Sequence, residues 1–143
     1  MNKQKAIVAG IIVLLLITGC TSSPKQGEAG KVVETYFNAW NSQDYATMYG
    51  SISDGFKQLE PTAKTLTDFG TYASAQQISE VKIVSVKETS NDGKVATVDY
   101  NVEFTAQGKK VPFAGTYTVK WKPNDNHPEW KLIHPYGKNI DAS

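Results

Sequence analysis

An α+β domain, with three N-terminal helices packed against a curved antiparallel sheet, is the architecture this sequence predicts. Between Glu28 and about Gln77, apolar residues recur at three- and four-residue steps, the repeat of a helix face. From Ile78 onward the repeat falls to two, as in strands with one buried face. Those apolar faces carry most of three Trp, seven Tyr and five Phe, so helices and sheet must share a bulky aromatic core. A sheet that wraps such a core curls into a cone.

Each element has its own signal. In the first helix Val32, Val33, Tyr36, Phe37 and Trp40 form one stripe. Asn41-Ser42-Gln43 interrupts it, and Asp44 is a good N-cap for a short second helix whose Tyr45, Met48, Tyr49 and Ile52 share a face. Ser53-Asp54-Gly55 reads as a turn. The third helix is expected to start between Pro61 and Thr67 and to present Leu66, Phe69, Tyr72 and Ala73. Its Gly70 costs about 1 kcal/mol relative to alanine.

The strands follow as a meander. VKIVSVKE, 81–88, is rich in β-branched residues, and Asn91-Asp92-Gly93 supplies the positive φ that a tight hairpin needs. The clearest alternation comes next. Ala96, Val98, Tyr100, Val102 and Phe104 lie on one face, with Thr97, Asp99, Asn101 and Glu103 on the other. After Gly108, Val111, Phe113, Gly115, Tyr117, Val119 and Trp121 continue the apolar face against Ala114, Thr116, Thr118 and Lys120. The loop PNDNHP, 123–128, leads to a last strand with Trp130, Leu132 and His134 on one side.

Ahead of the domain stands a different kind of segment. Lys3 and Lys5 precede an apolar run from Ala6 to Ile17, too short for the roughly 20 residues that a membrane-spanning helix needs. Ile17-Thr18-Gly19-Cys20 resembles the lipobox of bacterial lipoproteins, in which the cysteine takes a diacylglyceryl group and cleavage falls just before it. Cys20 is the sole cysteine, and a thioether-linked lipid would turn a redox liability into an anchor. The expected organisation is a signal peptide over 1–19, the lipidated Cys20 with its tether over 20–27, and one domain over 28–143. TSSPKQG, 21–27, reaches roughly 25 Å when extended, which would hold the domain near the membrane's outer face. Ser22-Ser23-Pro24-Lys25 matches S-x-x-K, but that motif needs a helix and a buried site, and no K-T-G accompanies it.

Composition narrows the function classes. All 15 basic residues are lysine; with Lys3 and Lys5 in the leader, 13 face 14 carboxylates, a formal charge of −1. That balance provides no basic face for nucleic acid. With no cysteine beyond Cys20 there is no internal disulfide, so stability rests on the core.

The order of elements and the aromatic first helix resemble the nuclear-transport-factor-2-like fold. Within it, VVETYFNAWNSQDYATMYGSIS, 32–53, and the strand pattern ending in Trp121 and WKLIHP, 130–135, resemble the N-terminal domain of low-affinity, resistance-type penicillin-binding proteins. There the domain is a stalk carrying a transpeptidase. This sequence shows no transpeptidase, and His134 stands where that family tends to place a second tryptophan. The resemblance implies a fold and an extracytoplasmic setting, not resistance by transpeptidase substitution.

No catalytic residue is assigned. With 96–104 facing inward, Asp99 and Glu103 point away from the cone, and His134 is the inward group expected to titrate near neutrality. A histidine without a carboxylate partner does not make an acid–base site. His127 and His134 lack further ligands for a metal, and Asn124-Asp125-Asn126 lacks the glycine and distal glutamate of a calcium loop, reading instead as a solvated turn. Trp40, Tyr45, Tyr49, Tyr72, Tyr100, Tyr117, Trp121 and Trp130 could line a pocket but are expected mostly as core, and Tyr72, Tyr100, Tyr117, Trp130 and His134 are the candidates to line any that remains. No cofactor is expected apart from the lipid on Cys20. The expected function is a non-enzymatic interaction or scaffold module, lipid-anchored at the outer face of a bacterial plasma membrane, with an envelope protein or cell-wall component as partner. The alternative is a small-molecule binder or minor enzyme that uses the cone, and open space beside His134 would favour it.

Overall fold

The computed structural model describes residues 24, 25 and 27–136. The expected signal peptide, Cys20 and most of the expected tether lie outside the described residues, as do residues 137–143 of the expected domain. Four α-helices precede the sheet: α1 (Glu28–Asn41), α2 (Tyr45–Gly50), α3 (Asp54–Leu59) and α4 (Leu66–Ala75), with a 3₁₀ turn at Pro61–Ala63. The strands β1 (Ile78–Asn91), β2 (Val95–Ala106), β3 (Lys109–Lys122) and β4 (Glu129–Leu132) form one antiparallel sheet in chain order. The architecture is α+β, with the helices packed on an open four-stranded sheet.

One helix more is present than the periodicity predicts. Ser53-Asp54-Gly55, read as a turn, instead opens α3. The Ser53 hydroxyl accepts the Phe56 amide at 3.2 Å and caps the helix, and Phe56 is fully buried. Turn and cap draw on the same residue types, because both satisfy stray backbone N–H groups with a short polar side chain. Asp44 caps α2 as expected, accepting from Thr47 N at 3.0 Å.

The hairpins form where glycine allows them. Asp92 accepts the amides of Lys94 at 2.8 Å and Val95 at 2.7 Å across a turn containing Gly93. Gln107 (φ 50°) and Gly108 (φ 73°) make the two-residue turn between β2 and β3, a primed turn whose twist suits the flanking strands. β1 is longer than its β-branched centre and is bulged against β2 at three places, which bends the sheet around α1.

β4 departs from simple alternation. Trp130, Lys131, Leu132 and Ile133 are all buried, and His134 lies beyond the strand, half-buried. The cause is the 51–53 segment, which runs parallel along the outer edge of β4: Leu132 N donates to Ser51 O and Ser53 N to Leu132 O, each at 2.9 Å. Lys131, on the face that alternation assigns to solvent, is covered by the end of α2. Its ammonium donates to the Gly50 carbonyl and to Glu129.

Candidate functional site

The cone's interior is built from α1, β2 and β3. Tyr36 and Phe37 descend from α1 onto Tyr100 and Tyr117, which β2 and β3 hold side by side with ring centroids 4.5 Å apart. Phe37 lies 5.2 Å from Tyr100 and 6.0 Å from Tyr117, and Tyr36 lies 6.4 Å from Tyr117. Gly115, directly opposite Tyr100 across the strands, makes room for this arrangement. A Cβ there would stand 2.7 Å from the Tyr100 hydroxyl oxygen. The Tyr117 hydroxyl donates to the Pro135 carbonyl at 3.0 Å and ties the chain after β4 across the end of the sheet.

These hydroxyls stay protonated at neutral pH and are not general bases there. Burial pushes the Tyr36 and Tyr117 hydroxyls far above the ordinary tyrosine value, and neighbouring tyrosines push them further. A base of neutral pKa would need the opposite environment. A second group of rings continues the core under α3 and α4. Tyr72 stacks on Tyr136 at 4.4 Å, and Phe56 meets Tyr136 edge-on at 5.3 Å. The Tyr136 hydroxyl is pushed up to about 12 by burial and shares a 2.9 Å hydrogen bond with Thr62.

The five pocket candidates therefore part company. Tyr100 and Tyr117 fill the cone, and Tyr72 joins the same core through Tyr136. Trp130 packs edge-on against Trp121 at 6.1 Å on the opposite flank of α1. His134 lines neither of the clefts described next.

The first cleft, about 570 Å³, lies between α1, the end of α2 and the β3–β4 edge. Glu28, Lys31, Val32 and Thr35 form one wall, Trp121, Glu129 and Trp130 the other, and Thr47, Gly50 and Ser51 the end. The Trp130 indole N–H is, among the described residues, a buried side-chain donor with no partner. Of the two tryptophans, the sequence offers Trp130 as a pocket candidate and Trp121 only among aromatics expected mostly as core. It has no way to mark the α1 wall, because a cleft joining residues about a hundred positions apart leaves no periodic trace.

The second cleft, about 430 Å³, is lined by Tyr49, Asp54, Lys57, Gln58, Lys64 and Asn126. Lys57 pairs with Asp54 at 3.2 Å and sits 4.4 Å over the Tyr49 ring. Asp54 and the 123–126 loop lock reciprocally: Asp54 N donates to the Asp125 carboxylate and Asn126 N to the Asp54 carboxylate, each at 2.9 Å. Asn124-Asp125-Asn126, expected as a solvated turn, is thus partly a structural clasp. Among the described residues no three His, Cys, Asp or Glu side chains converge as metal ligands.

A family model described as an NTF2-like N-terminal transpeptidase domain matches residues 28–135. Among solved structures, a SEC-C-motif-containing protein from Psychrobacter arcticus aligns with a TM-score of 0.54 at 10% identity, covering 82% of this chain and 69% of that one. An NTF-2-like protein of unknown function from Shewanella oneidensis MR-1 aligns with a TM-score of 0.48 at 16% identity, covering 72% and 89%. At such identities the likeness concerns the fold alone. No curated protein matches the chain.

Proposed function

The chain belongs to the family of NTF2-like N-terminal transpeptidase domains, and from that premise we propose that it works as a lipid-anchored, extracytoplasmic interaction module without catalysis of its own. The observation that carries this reading is the aromatic filling of the cone. This chain fills the cone with Tyr36, Phe37, Tyr100 and Tyr117, a set with no carboxylate or imidazole among it, and burial keeps the Tyr36 and Tyr117 hydroxyls protonated at neutral pH. Two open clefts lie outside the cone, on the flank of α1 and beside α3. A surface of that kind suits recognition.

The anchor is part of the proposal. The lipobox-like Ile17-Thr18-Gly19-Cys20 and the short polar tether support a diacylglyceryl group on Cys20 and a domain held at the outer face of the plasma membrane. An envelope protein or cell-wall component is the partner such a placement favours. The structure also bears on which end of the domain faces the anchor. The chain enters α1 at Gly27, whose amide donates to both Glu88 carboxylate oxygens at 3.0 and 3.1 Å. In this reading the β1–β2 hairpin sits nearest the membrane.

Mass spectrometry of the protein isolated from its host is the test. The expected result is an N-terminus at Cys20 carrying the mass of a diacylglyceryl group. A free thiol at Cys20 on an uncleaved chain would refute the anchor.

A further inference from the structure

We propose that the cleft between α1 and the β3–β4 edge is a saccharide subsite, taking a neutral pyranose ring whose apolar face stacks on Trp121. The inference deepens the module reading and rests on it for its biological setting.

The first argument is charge. Glu28 and Glu129 are matched by Lys31 and by Lys131, whose ammonium reaches Glu129 and the Gly50 carbonyl from beneath the cleft. A wall with balanced signs offers no net Coulomb attraction to an ionic ligand, yet it presents both donors and acceptors. The hydroxyls at the end of the cleft complete the set. Thr47 Oγ1 donates to Asp44 at 2.6 Å and Ser51 Oγ to the Thr47 carbonyl at 3.0 Å, so each oxygen keeps lone pairs for an incoming O–H.

The second argument is shape. Trp121 is half-buried and its indole is backed edge-on by buried Trp130, which supports the ring as a platform. A rigid aromatic plane beside mixed polar groups fits a ligand with one flat apolar face and a hydroxylated edge, and a cleft of about 570 Å³ is of ordinary ligand-site size.

The third argument excludes an extended peptide. Peptides bind clefts of this kind best by adding main-chain hydrogen bonds to a free sheet edge. Here the Leu132 end of the β4 edge is already taken by residues 51–53.

The experiment uses the full chain in detergent micelles and reads its three indole N–H signals by NMR. Tri-N-acetylchitotriose, maltotriose and trialanine are each titrated to millimolar concentration. The expected result is a saturable shift of Trp121 and Trp130 with at least one of the sugars. Trp40 stays still, because it packs against Phe104 and Tyr36 within the core. Trp121→Ala should weaken sugar binding about tenfold, the loss of one stacking contact of about 1.4 kcal/mol. Thr35→Trp, on the exposed side of α1, should fill the cleft and abolish the shifts even if Trp121→Ala fails to fold. Silence of Trp121 and Trp130 with both sugars overturns the proposal. So does a response to trialanine alone, or sugar binding that survives Thr35→Trp. The titration does not depend on lipidation, so its failure leaves the Cys20 anchor standing, and a free Cys20 thiol leaves the titration standing.

Discussion

Gly115→Ala puts the packing of the cone to a direct test. Gly115 has an ordinary strand backbone, so alanine meets no conformational strain, and the substitution would by itself stiffen the unfolded chain and stabilise by roughly 0.4–1 kcal/mol. The side chain decides otherwise. An added Cβ stands 2.7 Å from the Tyr100 hydroxyl oxygen and 3.0 Å from the ring carbon that bears it. Tyr100 cannot swing clear, since Tyr117 lies at 4.5 Å, Phe37 at 5.2 Å and Phe113 at 5.7 Å. Overpacking of this kind costs about 1–3 kcal/mol, which outweighs the gain. At 4–8 °C per kcal/mol for a domain of about this size, Gly115→Ala should lower Tm by roughly 5–15 °C. Urea unfolding followed by circular dichroism should show the same loss with an unchanged slope. The Tyr100→Ala background is the control, because with the ring gone the added methyl meets no obstacle. If Gly115→Ala is neutral in the wild type, or equally damaging without the Tyr100 ring, the packing argument is wrong.

Three further outcomes follow from the same contacts. Tyr117→Phe removes the donor to Pro135 O and leaves a buried carbonyl unsatisfied, so urea unfolding should show a loss of about 1–3 kcal/mol. Tyr36 and Tyr117 have folded pKa values raised by burial, so above the unfolded value near 10 the unfolded chain gives up protons that the folded chain keeps. Stability should be level below about pH 10 and then fall by about 1.4 kcal/mol per pH unit for each of the two, visible as tyrosines that ionise only on unfolding. For Asp54, burial pushes the carboxyl up, but the Asn126 amide, Lys57 and Lys131 outweigh it and hold the pKa below its ordinary value. Its contribution is therefore present above the unfolded value and lost as pH falls through the folded one. Asp54→Asn should cost roughly 1 kcal/mol at neutral pH, measured by urea unfolding, and the gap should close as pH falls below the ordinary carboxylate range.

Much of the architecture can be read without coordinates wherever one face of an element meets one environment. Ala96, Val98, Tyr100, Val102 and Phe104 alternate because β2 is central and has water on its other side, and all five are buried. Val33, Tyr36 and Phe37 mark the buried side of α1 for the same reason. The tertiary structure alone decides the rest. Lys131 alternates as a solvent residue and is buried because α2 ends on top of it. The turn-like Ser53-Asp54-Gly55 becomes a helix start because Asp54 finds Asp125 and Asn126 some seventy residues away. The cleft exists because α1 approaches the β3–β4 edge, joining Glu28 and Lys31 to Trp121 and Trp130. Periodicity records which side of an element avoids water. Which distant segment does the covering depends on shape and hydrogen bonding between parts of the chain that share no local pattern.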